Sequence, residues 1–184
     1  MMMRTLLGVV TAILVAATLN GCSDPSETVG PFGNNDSAPG TQCIPLAGHT
    51  VASYGLEFVQ NPTNTTATIT SVTLRKNYGL QLVRVWAVPT NAQIYGVGLS
   101  PPPPTFKVIG WHWNHRHIAA GARVPHSTGK YDRMNLVLVV RLAPGKTGGR
   151  AAGVDVRYEV AGKHYYVPYR TAVVLRAGSR CPTP

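Results

Sequence analysis

The side chains best suited to chemistry crowd into one short stretch, Trp111, His112, Trp113, Asn114, His115, Arg116 and His117, with His126 nine positions further on. Neutral imidazoles are common nitrogen ligands for zinc and copper. On an extended backbone His115 and His117 would project to one face and could reach a single ion. His112 would face the other way unless the backbone turns at Asn114, and a third ligand would come from His126, His49 or His164. No Cys, Asp or Glu accompanies them, the spacing matches no zinc signature, and Arg116 would repel a cation. Trp111, Trp113 and Arg116 also offer flat faces on which a sugar or aromatic group could stack. The alternative is plainer: the tryptophans cover core and the histidines sit in water. Catalysis finds less support. The four acids beyond Cys43 are dispersed (Glu57, Asp132, Asp155 and Glu159), and no nucleophile elbow, zinc-protease helix motif or phosphate loop occurs. Asp155 and Glu159 share a strand face but stand roughly 13 Å apart by strand rise, too far for a retaining carboxylate pair. The expectation is a protein that is not an enzyme and carries no cofactor.

The three cysteines divide into two kinds. Cys22 follows Leu19-Asn20-Gly21, behind a charge-free run at residues 5–19 that Arg4 precedes. That run has the length of a signal-peptide core and is short of the ~20 residues a spanning helix needs. Leu19, Gly21 and Cys22 resemble the lipobox of bacterial lipoproteins, with Asn20 where that pattern usually carries Ala, Ser, Thr or Val. The resemblance implies cleavage after residue 21, acyl chains including palmitate on Cys22, and attachment to the extracytoplasmic face of the cell membrane. Cys43 and Cys181 bracket the remainder in a compartment where thiols oxidise. A disulfide between them would contribute up to roughly 5 kcal/mol in the chain-entropy account.

Charge and composition mark the same division. Residues 23–42 are rich in Gly, Pro, Ser and Asn and carry three acids and no base, the composition of a flexible spacer. From Cys43 onward sixteen Lys and Arg face four acids, a formal +12. A field of that sign attracts anionic surfaces. Outside the cell those are phospholipid headgroups and wall polymers, and nucleic acid is excluded by topology and by the lack of any recognised motif. The organisation is therefore a signal peptide over 1–21, a lipidated cysteine and linker over 22–42, and one basic domain over 43–184.

Within that domain the period is that of strands. Thr66-Ala67-Thr68-Ile69-Thr70-Ser71-Val72 alternates polar and aliphatic residues, as does Val154-Asp155-Val156-Arg157-Tyr158-Glu159-Val160. Further strands are expected over residues 51–59, 80–88 and 134–142, with residues 144–153 an exposed loop. The strand 154–160 and the one starting at His164 should form a hairpin about residues 161–163, with Pro168 at an edge or bulge. Ser100 and the four prolines after it read as a stiff connection. Seven to eight short strands without a capped helix predict an antiparallel β-sandwich.

The segments at residues 64–72, 121–125 and 135–138, with Tyr158 and Tyr165, resemble the immunoglobulin-like domains of secreted actinobacterial lipoproteins. That resemblance covers most of residues 50–175 and implies a fold and a surface location, with no catalytic residues. The functional expectation is a non-catalytic, membrane-anchored envelope lipoprotein that binds a partner protein or anionic envelope polymer. Metal capture or delivery through His112, His115, His117 and His126 is the alternative.

Overall fold

The computed structural model describes residues 28–32, 40–91, 95–99, 113–129 and 132–181. Cys22 and the signal peptide, the proline run, Trp111 and His112 lie outside the described residues. In chain order the strands are β1 (Thr28–Val29), β2 (Thr41–Pro45), β3 (Ala52–Val59), β4 (Ala67–Leu74), β5 (Leu80–Asn91) and β6 (Val97–Gly98). A 3-10 turn at Trp113–His115 precedes β7 (His117–Ile118) and β8 (Arg123–Val124). The series closes with β9 (Asp132–Leu142), β10 (Gly148–Ala151), β11 (Val154–Val160), β12 (Lys163–Tyr169) and β13 (Ala172–Arg176). Among the described residues eight strands reach five residues or more, and no α-helix occurs.

Two five-stranded sheets, β1-β12-β11-β4-β8 and β6-β3-β9-β5-β7, and a three-stranded sheet, β10-β13-β2, make up an all-β sandwich. Alternation decides which side chains go inside. On β11, Val154, Val156, Tyr158 and Val160 are buried while Asp155, Arg157 and Glu159 are half-exposed. They meet Ile69 of β4 and Tyr54, Val85, Leu136, Leu138 and Val140 from the second sheet in one continuous core. β9 departs from simple alternation because both of its faces are covered. Its Val137 packs with Val88 and Trp113 in a separate cluster on the outer side of the sheet.

The expected hairpin forms between β11 and β12, with Val160 opposite Lys163. Its two turn residues, Ala161 and Gly162, both take positive φ (49° and 76°), the turn whose twist suits a two-residue hairpin. Pro168 stands opposite Asp155 of β11 and beyond the stretch of β12 that β1 covers, so its other side is an open sheet edge among the described residues. The chain then crosses to the third sheet, where β13 runs parallel to β2 and antiparallel to β10. The Cys43–Cys181 disulfide joins β2 to the end of the domain, its Cα atoms 6.1 Å apart across a separation of 138 residues.

Two segments differ from the sequence expectation. The stretch at 144–153 is not a free loop, since residues 148–151 form β10 with Gly149 and Ala151 buried. A Cβ at Gly149 would fall 2.6 Å from the Gly79 carbonyl oxygen, so this strand depends on backbone reaching where a side chain cannot. Part of the spacer is also docked. Thr28 and Val29 run parallel to Tyr165 and Tyr166, and Phe32, 1 % exposed, belongs to the main core.

Candidate functional site

At one end of the sandwich a groove of about 460 Å³ opens between the last residues of β5, the turn after β8 and the start of β9. Arg123, His126, Arg133 and His117 line it together with Asp132 and Ser127, over apolar ground from Pro89, Val124, Pro125 and Met134. These residues come from four separate parts of the chain, which the sheets bring together. Thr90 pairs with Arg133 and Pro89 with Met134 across the β5–β9 ladder, while Arg123 and Val124 add to the edge of β4 opposite Thr68 and Ala67.

Asn61, buried just after β3, fixes the rim. Its side-chain amide donates to the carbonyls of Val124 (2.9 Å) and Thr65 (2.8 Å). Its backbone N–H donates to the Ser127 hydroxyl at 3.1 Å, and the Ser127 N–H returns a bond to the Asn61 carbonyl at 2.8 Å. The Asn61 Oδ1 accepts from the amide and hydroxyl of Thr63. Every polar group of this buried side chain is thereby used, which holds an otherwise irregular loop in one shape.

The groove's charges are unevenly matched. Asp132 is the one acid among its lining residues, and its Oδ2 accepts from the hydroxyl (2.6 Å) and amide (3.1 Å) of Thr128. Those bonds hold its carboxyl below the usual range, with a smaller contribution from His126. The Arg133 guanidinium lies 4.1 Å over the ring of Phe58, and its Nε is buried without a hydrogen-bond partner among the described residues. Cationic and apolar surface side by side, with the acid engaged by its own loop, suits an anionic group carrying a non-polar portion.

The tryptophan segment has a different role from the stacking platform considered above. Trp113 is 2 % exposed and meets Trp86 edge-on, ring centroids 5.9 Å apart at 75°. The Arg116 guanidinium lies over both rings, 4.7 Å from Trp113 and 5.2 Å from Trp86, and donates to the Trp113 carbonyl at 3.2 Å. Arg84 approaches Trp86 from β5, also at 5.2 Å. Trp113 and Arg116 therefore cover the outer face of β5 and β9, and their stacking faces are spent within the protein.

Nor does the backbone here run extended as the two-ligand arrangement of His115 and His117 required. The 3-10 turn carries His115, β7 begins at His117, and only His117 of the two lines the groove, where it is joined by His126. Among the described residues no three His, Cys, Asp or Glu side chains gather as a metal site. Arg133, Asp132 and Ser127 carry no sequence signal beyond their polarity. The chain matches no protein-family model, no curated protein and no solved structure.

Proposed function

We propose that this is an exported envelope protein, tethered by lipid at Cys22, whose basic and non-catalytic sandwich binds an anionic partner at the groove of Arg123, His126 and Arg133. The observation that carries the reading is the groove itself: four basic side chains on apolar ground, facing one acid already engaged by Thr128. The immunoglobulin-like reading belongs to the same proposal. Its support is the strand order, β3-β9-β5 in one sheet and β12-β11-β4 in the other, with hairpins within sheets and crossings between them. Among the described residues no helix is long and apolar enough to cross a membrane; attachment in this reading rests on Cys22 alone.

Two measurements test it. Cys22→Ala should move the protein from the membrane to the soluble fraction, and unchanged retention defeats the lipid anchor. Titration of the full chain with a soluble polyanion should show saturable, salt-sensitive binding that the Arg123→Ala/Arg133→Ala variant loses. Equal affinity of that variant removes the groove from the function. Metal capture is the second reading, and it rests on His117 and His126 lining one groove, with no third ligand gathered beside them among the described residues. A one-to-one zinc or copper heat abolished by His117→Ala/His126→Ala would replace the first reading with this one.

A further inference from the structure

The strand registers fix where the anchored end of the chain enters the domain. β1 is parallel to β12, and Thr28 stands opposite Tyr165, two residues from the first residue of that strand. β12 begins at the hairpin turn, next to Val160 of β11. Val160 pairs with Ala67 of β4, and Ala67 pairs with Val124 of β8, on the groove's rim. The hairpin tip, the start of β1 and the groove therefore share one end of the sandwich. Thr28, the first described residue, lies at that end.

The distances agree. Four strand spacings separate β1 from β8, about 19 Å across the sheet. Six residue steps from Cys22 to Thr28 span at most about 21 Å. A lipid on Cys22 thus keeps this end near the bilayer, and what it presents there is mainly basic: Lys163 and His164 on the hairpin, then Arg123, His126 and Arg133 at the groove. Among the described residues Glu159, opposite His164, and Asp132 are the acids alongside, and the sequence between Cys22 and Thr28 adds Asp24 and Glu27.

We propose that this end of the sandwich lies on the membrane that holds the anchor, and that the groove takes the phosphate of an anionic phospholipid headgroup. Arg123 and Arg133 supply the charge-assisted donors, and Pro89 and Pro125 supply apolar surface for the adjoining glycerol and ester groups. The orientation rests on the lipid-anchor reading, whereas the headgroup site can be measured without it.

The test uses the full chain carrying Cys22→Ser, so that no acyl chain contributes, and vesicles of phosphatidylcholine with or without phosphatidylglycerol. Co-sedimentation should require phosphatidylglycerol, and Arg123→Glu/Arg133→Glu should weaken it by roughly tenfold or more. Lys146→Glu/Arg150→Glu, in the basic hollow of Tyr78 and Arg176 at the opposite end, should change it far less. Equal losses from the two pairs would mean unspecific attraction by net charge and overturn the site. Tighter, Arg123-dependent binding of soluble poly(glycerol phosphate) than of vesicles would overturn the bilayer as its occupant. Failure of the anchor alone shows separately, as wild-type protein in the soluble fraction while these vesicle results stand.

Discussion

The ring of Phe32 lies flat on that of Tyr158, centroids 3.6 Å apart and planes 2° from parallel, while the Phe32 amide donates to the Tyr158 hydroxyl at 2.9 Å. Burial pushes that hydroxyl up to about 12. This pair turns a segment of spacer composition into part of the fold. Phe32→Ala should cost about 3–5 kcal/mol, as truncation of a buried aromatic does. Urea unfolding of the domain reads this as a lowered midpoint, and an unmoved midpoint would show that the segment adds nothing to stability.

The contrast between this segment and the strands around it shows what a sequence discloses. β4 and β11 were legible because each has one wet and one dry face, written as alternation at residues 67–74 and 154–160. Phe32 was not, because a single aromatic among Gly, Pro and Asn disappears in a composition average, and the ring it stacks on, Tyr158, is 126 residues away. β10 was hidden for the opposite reason, since its burial relies on a missing side chain at Gly149. Trp113 and the histidines were visible as residue types, but their roles depend on β9 being covered on both faces. Arg133 and His126 line one groove because β9 and the turn after β8 belong to different sheets of the sandwich, an arrangement no local pattern encodes.

Tyr54 and Tyr169 are buried with hydroxyls that make no hydrogen bond among the described residues. Burial first, and the nearby Glu57 carboxylate second, push both far above the ordinary phenol range. A proton held more tightly in the folded chain makes stability full below the unfolded phenol pKa of about 10 and lowers it by about 1.4 kcal/mol per pH unit per tyrosine above it. Tyr54→Phe and Tyr169→Phe should therefore be neutral or stabilising at pH near 7 and should each flatten the alkaline decline. Thermal melts across that range decide it, and a large loss at neutral pH would reveal a bonded hydroxyl.

Glu57 sits on β3 at 2 % exposure, its carboxylate accepting from the Thr171 amide at 3.2 Å where the chain passes from β12 to β13. Burial raises its pKa, and the Thr171 hydroxyl and amide oppose the shift without cancelling it. The sign follows: the folded chain keeps this proton after the unfolded chain has lost it, so stability is fullest below the unfolded carboxyl pKa of about 4.3 and declines as pH rises through the window above it. Glu57→Gln retains an acceptor for Thr171 and removes the titration. Its stability relative to wild type should rise with pH through that window; a constant difference would mean that Glu57 does not titrate there.

The disulfide closes nearly the whole described domain into one loop. Replacing Cys43 and Cys181 by Ser should cost up to roughly 5 kcal/mol by freeing the unfolded chain, with the strand registers unchanged. The soluble domain's intact mass should fall short of the reduced mass by the two thiol hydrogens. Free thiols in protein recovered under oxidising conditions would sink the bridge, and a small stability loss would show residual structure in the unfolded chain.

Asn61 connects stability to the groove. Its amide holds the Val124 carbonyl, and its backbone exchanges two hydrogen bonds with Ser127, so the rim between Arg123 and His126 keeps its shape through this one residue. Asn61→Ala abandons the buried carbonyl of Val124, worth about 1–3 kcal/mol when left unpaired in the interior, while the exposed Thr65 carbonyl keeps the Thr63 hydroxyl as a donor. Asn61→Asp keeps the acceptor for Thr63 but loses both donors and buries a charge, and should be worse. Neither touches a ligand, so a purely structural role predicts loss of stability with full affinity in the molecules that remain folded. A positioning role predicts weaker polyanion binding well below the unfolding temperature, with the salt dependence retained because Arg123 and Arg133 are still present. Titration of Asn61→Ala at low temperature separates these two outcomes.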